Sequence, residues 1–348
     1  MPPLRTELRP GYSISRIIKG GWQLAGGHGT FDRRQAIADM VTFVDNGITT
    51  FDCADIYTGV ESMIGDAIGE LKKRQAFDTD KHIQVHTKLV PDLNKLTTIT
   101  HDELETIIDR SLKRLKLERL HLVQFYWWDL TLGSPLESLE VLKQLQKKGK
   151  IRYLGCTNWD QYAMQGFVDQ GFDMVSAQVQ YSLLDHRPKG EFSEWCNKNK
   201  LQILCYGVLA GGFLTNAWLG KANPGFDFEN RSLIKYRLII EDVGGWDLFQ
   251  QLLHVLEAIA QEYGVSLSAV ATRYMLDRSD VAAVIIGAKT ASHIKETLSA
   301  VSLVLSDADI HAIETVLSCR TDLPGSVYAL ERDRDGPHGR IMKYNLNS

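Results

Sequence analysis

The stretch Ile48–Glu61, ITTFDCADIYTGVE, decides how this chain is read. A short run rich in apolar and β-branched residues, Thr49–Asp52, has no alternation of polar and apolar positions. It reads as a strand covered on both faces, as in a parallel sheet. The strand ends on a carboxylate, Asp52, and a loop carrying Tyr57 follows. Before it, Arg33–Asn46 has helical periodicity and closes at Gly47, a residue suited to the left-handed position after a helix. After it, Ser62–Lys73 is again helical and ends on Lys72, Lys73 and Arg74, favourable charges for a helix C-terminus.

The same unit recurs along the chain. Further strands read at Ile17–Gly20, Ile83–Thr87, Leu120–Tyr126, Ile151–Cys156, Val175–Gln180, Gln202–Tyr206 and Ala283–Gly287. Helical patterns cover Thr100–Lys116, opened by a Thr100/Glu103 capping box, and Pro135–Lys148, with proline in the first turn and Gly149 beyond the end. Gly190–Lys200, Trp246–Tyr263, Ser266–Asp277 and Ser292–Val301 continue the alternation. Eight strands alternating with helices imply an α/β fold of the (β/α)8 TIM-barrel type. A doubly wound open sheet is the competing architecture, but no G-x-G-x-x-G follows the first strand. No low-complexity linker or short repeat appears, so residues 1–348 read as one domain, with a core of about 15–320 and a tail of 321–348. Ala217–Gly245 reads as a long loop.

Composition narrows the function. Of 348 residues, 44% are hydrophobic and 24% charged, ordinary values for a folded soluble protein. With 39 basic against 43 acidic residues, a net of −4, there is no basic excess for nucleic acid and no polybasic run for an anionic membrane. Cys53, Cys156, Cys196, Cys205 and Cys319 are odd in number and scattered, as in a reducing compartment. No secretory signal and no apolar run of roughly 20 residues is visible, so a cytoplasmic protein is expected.

In such a barrel, chemistry collects at the carboxyl ends of the strands. Three consecutive ends offer Asp52 with Tyr57, then Lys88, then Tyr126, Trp127, Trp128 and Asp129. A free phenol has a pKa of about 10. A close ammonium brings it toward the working range, and a carboxylate keeps that ammonium charged and oriented. The plain structural reading makes Asp52 a turn cap, Tyr57 a packed ring and Lys88 a structural ion pair; their joint placement favours the chemical one.

Phe51–Gly65, FDCADIYTGVESMIG, resembles the signature of the aldo-keto reductase superfamily. The similarity continues in order through HTK at 86–88, GCTN at 155–158, AQVQYSLLD at 177–185, YGVLAGGFL at 206–214 and IIGAKTASHIKET at 285–297. It covers about residues 15–305 and is nearest the bacterial, fungal and potassium-channel β-subunit branch. The resemblance implies reduction of an aldehyde or ketone with NADPH, NADH not being excluded, and no metal. It makes Tyr57 the general acid, Lys88 its partner and Asp52 the anchor of Lys88. Asn158 and Gln178 would hold the nicotinamide amide, with Tyr206 beneath the ring and Gly21, Trp22 and Asp52 alongside. Gly207, Val208, Leu209 and Gly211 would follow the pyrophosphate. Gly287, Lys289, His293, Glu296 and Thr297 would enclose the adenosine end.

Two departures stand out. Tyr126 occupies the place where the family usually has histidine; it keeps a hydrogen-bond donor but not an imidazole base. That leaves open a reductase with altered activity, a non-redox lyase or isomerase, and a cofactor-sensing subunit. At the adenosine end, His293 and Thr297 stand where NADPH-preferring members commonly carry arginine or glutamine and asparagine, so Lys289 becomes the candidate for a 2′-phosphate. The substrate wall reads as Trp22, Tyr57, Tyr126 and Trp127, with Trp128, Trp218 and Trp246 as further aromatics, suited to an apolar or aromatic small molecule. The charged tail reads as a solvated appendage, a cover over the barrel mouth, or a contact in a homo-oligomer.

Overall fold

The computed structural model describes residues 4–74 and 78–346. Strands β1 (Arg5–Arg9) and β2 (Tyr12–Ser15) form an antiparallel hairpin. Eight parallel strands then close a barrel: β3 (Ile17–Gly20), β4 (Thr50–Asp52), β5 (Gln84–Leu89), β6 (Leu120–Phe125), β7 (Ile151–Thr157), β8 (Met174–Gln180), β9 (Gln202–Tyr206) and β10 (Val281–Gly287), with β10 pairing back onto β3. The expected (β/α)8 barrel is the observed architecture, and its strands lie within two residues of their predicted bounds.

The hairpin, which the sequence did not reveal, lies across the amino-terminal ends of the strands. Tyr12 and Ile14 bury their side chains with Leu122, Val175, Leu204 and Ile285 of the barrel interior. The Arg5 guanidinium donates to Thr49 and Gln84, tying the hairpin to the starts of β4 and β5. One end of the barrel is thereby plugged, and the opposite end is left for function.

The helical periodicities hold, and their caps explain the boundaries. The helix His101–Leu115 begins with the predicted Thr100/Glu103 capping box, and Arg33–Asp45 is followed by Gly47 at φ +83°. Further helices lie outside the sequence reading, among them Gln161–Asp169, capped by the Asp160 side chain. The supposed loop Ala217–Gly245 contains Arg231–Asp242, capped by the Asn230 side chain, and Asp307–Leu317 opens with a capping box of Ser306 and Asp309. The segment after Arg320 does not trail into solvent: Val327, Tyr328, Glu331 and His338 are buried. Residues 347–348 of the predicted tail lie outside the described residues. No described helix is long and apolar enough to cross a membrane.

Candidate active site

Strand pairing brings the predicted acid and base chemistry together. Asp52 is the last residue of β4, opposite Gly20 of β3 and His86 of β5, and Lys88 lies two residues further along β5. The Lys88 ammonium donates to both Asp52 oxygens, at 2.8 and 2.7 Å, and to the Cys53 carbonyl at 2.8 Å. Gln178 of β8 reaches across to donate to Asp52 Oδ1 at 2.6 Å. Both charges are buried, so the pair is unscreened by solvent and strongly oriented. Burial alone would lower the Lys88 pKa, but Asp52 and Tyr57 outweigh it and leave it raised, so the ammonium persists.

Tyr57 follows in a tight turn, its N–H donating to the Ala54 carbonyl, and places its ring centroid 5.1 Å from Lys88 Nζ. Trp22 packs against the ring with centroids 5.0 Å apart. Burial pushes the Tyr57 phenol up to about 12, Lys88 opposing but not cancelling the rise. The expectation of a phenol brought near neutrality is therefore corrected: desolvation wins in this state, and Tyr57 holds its proton throughout the neutral range.

These residues open on a cavity of about 950 Å³ that extends from Tyr57 to the amino end of the helix Ile294–Ser302. Tyr126, Trp128 and Tyr206 border one end. Tyr206 donates its hydroxyl to Asn158 Oδ1 at 2.8 Å, and Asn158 holds a left-handed backbone, φ +60°, at the end of β7. Past Tyr206 the chain runs through Gly207 at φ +79° and Gly211 at φ +66°. A Cβ on Gly207 would come within 2.4 Å of the Tyr236 hydroxyl, so this backbone lies directly against the helix Arg231–Asp242. Val208 and Leu209 also border the cavity. At the far end stand Gly287, Lys289, His293, Glu296 and Thr297, with His293 Nδ1 3.1 Å from the Glu296 carboxylate. An elongated cavity with two primary amides at one end, a glycine backbone in the middle and a lysine at the other has the donor set for a dinucleotide.

A family model described as Aldo/keto reductase family matches residues 16–318. The chain belongs to the aldo/keto reductase family. It is 24% identical over 310 residues to an NADH-specific methylglyoxal reductase of Escherichia coli, covering 85% of this chain and 93% of that one. A probable voltage-gated potassium channel subunit beta of Arabidopsis thaliana is 25% identical, over 91% of this chain and 97% of the relative. Among solved structures, an aldo-keto reductase from Klebsiella pneumoniae in complex with NADPH shares the fold, with a TM-score of 0.64, 20% identity and coverage of 88% and 92%.

Within this aldo/keto reductase, two predicted site residues stand away from the cavity. Gly21 packs on β4: its N–H donates to the Asp52 carbonyl at 2.8 Å, and a Cβ there would strike Val60 at 2.7 Å. Trp127 is fully buried, stacked on Phe125 with its indole N–H bonded to the Leu132 carbonyl, so the wall is formed by its neighbour Trp128. Trp218 and Trp246 cluster around Phe213 and brace the long connection after β9. The sequence reading missed Lys235, Tyr328 and Met342, which border the cavity from that connection and from the tail. Their only sequence signal is the tyrosine at 328 just ahead of a charged run.

Proposed function

We propose that this aldo/keto reductase reduces an aldehyde or ketone on an apolar or aromatic small molecule, with NADPH as hydride source and Tyr57 as proton donor. The observation that carries the reading is the buried Asp52–Lys88 pair with Lys88 Nζ 5.1 Å from the centre of the Tyr57 ring, all three residues lining the cavity. Gln178 and Asn158 would hold the carboxamide, Tyr206 the ring, the backbone from Gly207 to Gly211 the pyrophosphate, and Lys289 the 2′-phosphate. When bound, the cofactor supplies the hydride that reaches the carbonyl carbon.

The chain's own residues then handle the proton. As negative charge grows on the carbonyl oxygen, Tyr57 transfers its hydroxyl proton there and the product leaves as the alcohol. The phenolate formed faces the Lys88 ammonium, which Asp52, Gln178 and the Cys53 carbonyl keep in place. Because the ground-state phenol sits near 12, the lysine acts chiefly on this charge-separated arrangement, where its attraction appears in full. Reduction should be nearly independent of pH through the neutral range and fall only as Tyr57 deprotonates. The reverse oxidation, which needs the phenolate, should climb steadily with pH.

The test follows NADPH and NADH absorbance with a panel of aromatic aldehydes. Wild type should consume cofactor, and Tyr57→Phe should lose about 10³-fold in kcat while binding NADPH normally. Preference for NADH would follow from Glu296, a carboxylate beside His293 that opposes a 2′-phosphate. Product formed without cofactor consumption would favour the lyase or isomerase reading that Tyr126 invites, and tight NADPH binding without turnover a sensing role.

A further inference from the structure

The segment Tyr328–Arg332 is held more firmly than a surface tail needs. Glu331, 2% exposed, pairs with Arg187 at 3.2 Å and with Lys235 at 3.4 Å. Arg332 donates to the Asn158 carbonyl at 2.6 Å and to the Trp128 carbonyl at 3.4 Å, both backbone groups of the cavity rim. Four residues upstream of Arg332, Tyr328 adopts a left-handed backbone, φ +64°, a costly conformation for a bulky residue and one that surrounding contacts must impose.

The effect of this anchoring is to place the Tyr328 ring, 4% exposed, on the cavity wall edge-on to Tyr126, with centroids 6.1 Å apart. The two hydroxyls are neighbours, near enough for Tyr328 to pull the Tyr126 pKa down against the rise that burial imposes. Tyr126 Oη is buried with no hydrogen-bond partner among the described residues. A buried hydroxyl without a partner costs about 1–3 kcal/mol, and here the cavity provides the place where one arrives. Lys235 Nζ lies 5.4 Å from the Tyr328 ring centre and the Arg332 guanidinium 5.9 Å from it. Burial and the neighbouring Tyr126, Tyr206 and Glu331 push the Tyr328 pKa well up, so its hydroxyl keeps its proton and is available as a donor.

We propose that Tyr328 is a positioning residue of the carbonyl end: its hydroxyl donates to Tyr126 Oη, so that Tyr126 turns its own proton to the substrate oxygen opposite Tyr57. Catalytic hydrogen bonds are often loose before substrate arrives and tighten around it. The chain Tyr328–Tyr126–carbonyl then supplies the donor that the family's histidine would give, with each link strengthening the next. No proton is transferred along it; the stoichiometric proton still comes from Tyr57. The inference rests on the reductase reading.

A double-mutant cycle in kcat and KM, with NADPH and an aromatic aldehyde turned over by wild type, tests it. Tyr126→Phe should lower kcat about 100-fold, the scale of one lost oxyanion donor. Tyr328→Phe, which keeps the ring and its packing, should lower kcat about ten-fold with KM little changed. The double variant should be no worse than Tyr126→Phe alone. NADPH binding, followed by protein fluorescence, should match wild type in all three and certifies that each is folded. A Tyr328→Phe enzyme with wild-type kcat overturns the inference, as does a double variant with the two losses multiplied. Absence of turnover by wild type with every carbonyl would instead overturn the reductase reading itself.

Discussion

Two buried ionic clusters flank the same cavity and are built in opposite ways. Asp52 and Lys88 are 36 positions apart, sit on adjacent barrel strands, and meet because the register of β4 and β5 leaves them no alternative. Arg187 and Glu331 are 144 positions apart, one on a loop and the other on a four-residue helix, joined by Asp185 and Lys235. The first cluster lies against the Tyr57 ring; the second holds a strip of chain along the cavity wall. A barrel can thus set charged groups on rigid strands and complete the same cavity with a segment tied down by charge.

Breaking the strand-borne pair should have the larger effect. Lys88→Met removes the cation that meets the Tyr57 phenolate, and kcat for reduction should fall about 10³-fold. It also strands Asp52 in a buried site with only Gln178 left to donate, at a cost of about 3 kcal/mol. Steady-state kinetics checks the loss in kcat, and thermal unfolding at pH 7 the loss in stability.

The tail cluster should make stability depend on pH. Burial works to raise the Glu331 pKa, but Lys235 and Arg187 outweigh it and hold it down to about 2. A depressed carboxylate stabilises the fold above its unfolded value of about 4.5, and that contribution disappears as pH falls toward 2. Glu331→Gln should therefore cost about 3 kcal/mol at pH 7, measured by thermal or denaturant unfolding, and much less near pH 3. Its kcat should fall about ten-fold, because Tyr328 loses its anchor. A variant with wild-type stability at pH 7 would mean that the cluster holds nothing in place.

The contrast also governs what a reader of the sequence could see. Asp52, Lys88, Tyr126, Gln178 and Tyr206 stand at or near the ends of apolar runs whose length and β-branching mark them as strands, so their convergence follows from closing the barrel. Trp127 and Trp128 sit just beyond the end of β6, where strand alternation no longer says which ring faces inward; the Leu132 carbonyl decides it by accepting the Trp127 indole proton. The helix Arg231–Asp242, which carries Lys235, follows a run rich in glycine, proline and asparagine that hid its start. Tyr328–Arg332 has no periodicity, forms only a four-residue helix, and owes its place wholly to contacts with residues far along the chain.

Arg332→Ala sharpens the comparison with the smallest expected change. Its guanidinium bonds only main-chain carbonyls, those of Asn158 and Trp128, and no carboxylate is left unpaired when it is removed. Stability should therefore drop by only about 1.5 kcal/mol, the low end for a hydrogen bond to a charged group, compared with the larger loss for Glu331→Gln. The Trp128 wall and the turn at Asn158 would each lose one tether while the strands beneath stay fixed. KM for an aromatic aldehyde should then rise about three- to five-fold and kcat change less than two-fold, since Glu331 still ties the Tyr328 segment to Arg187 and Lys235 and the Lys88–Tyr57 geometry lies on the strands. If kcat instead fell about ten-fold with KM unchanged, as expected for Tyr328→Phe, the Arg332 guanidinium and not the Glu331 cluster would be what holds Tyr328 against Tyr126.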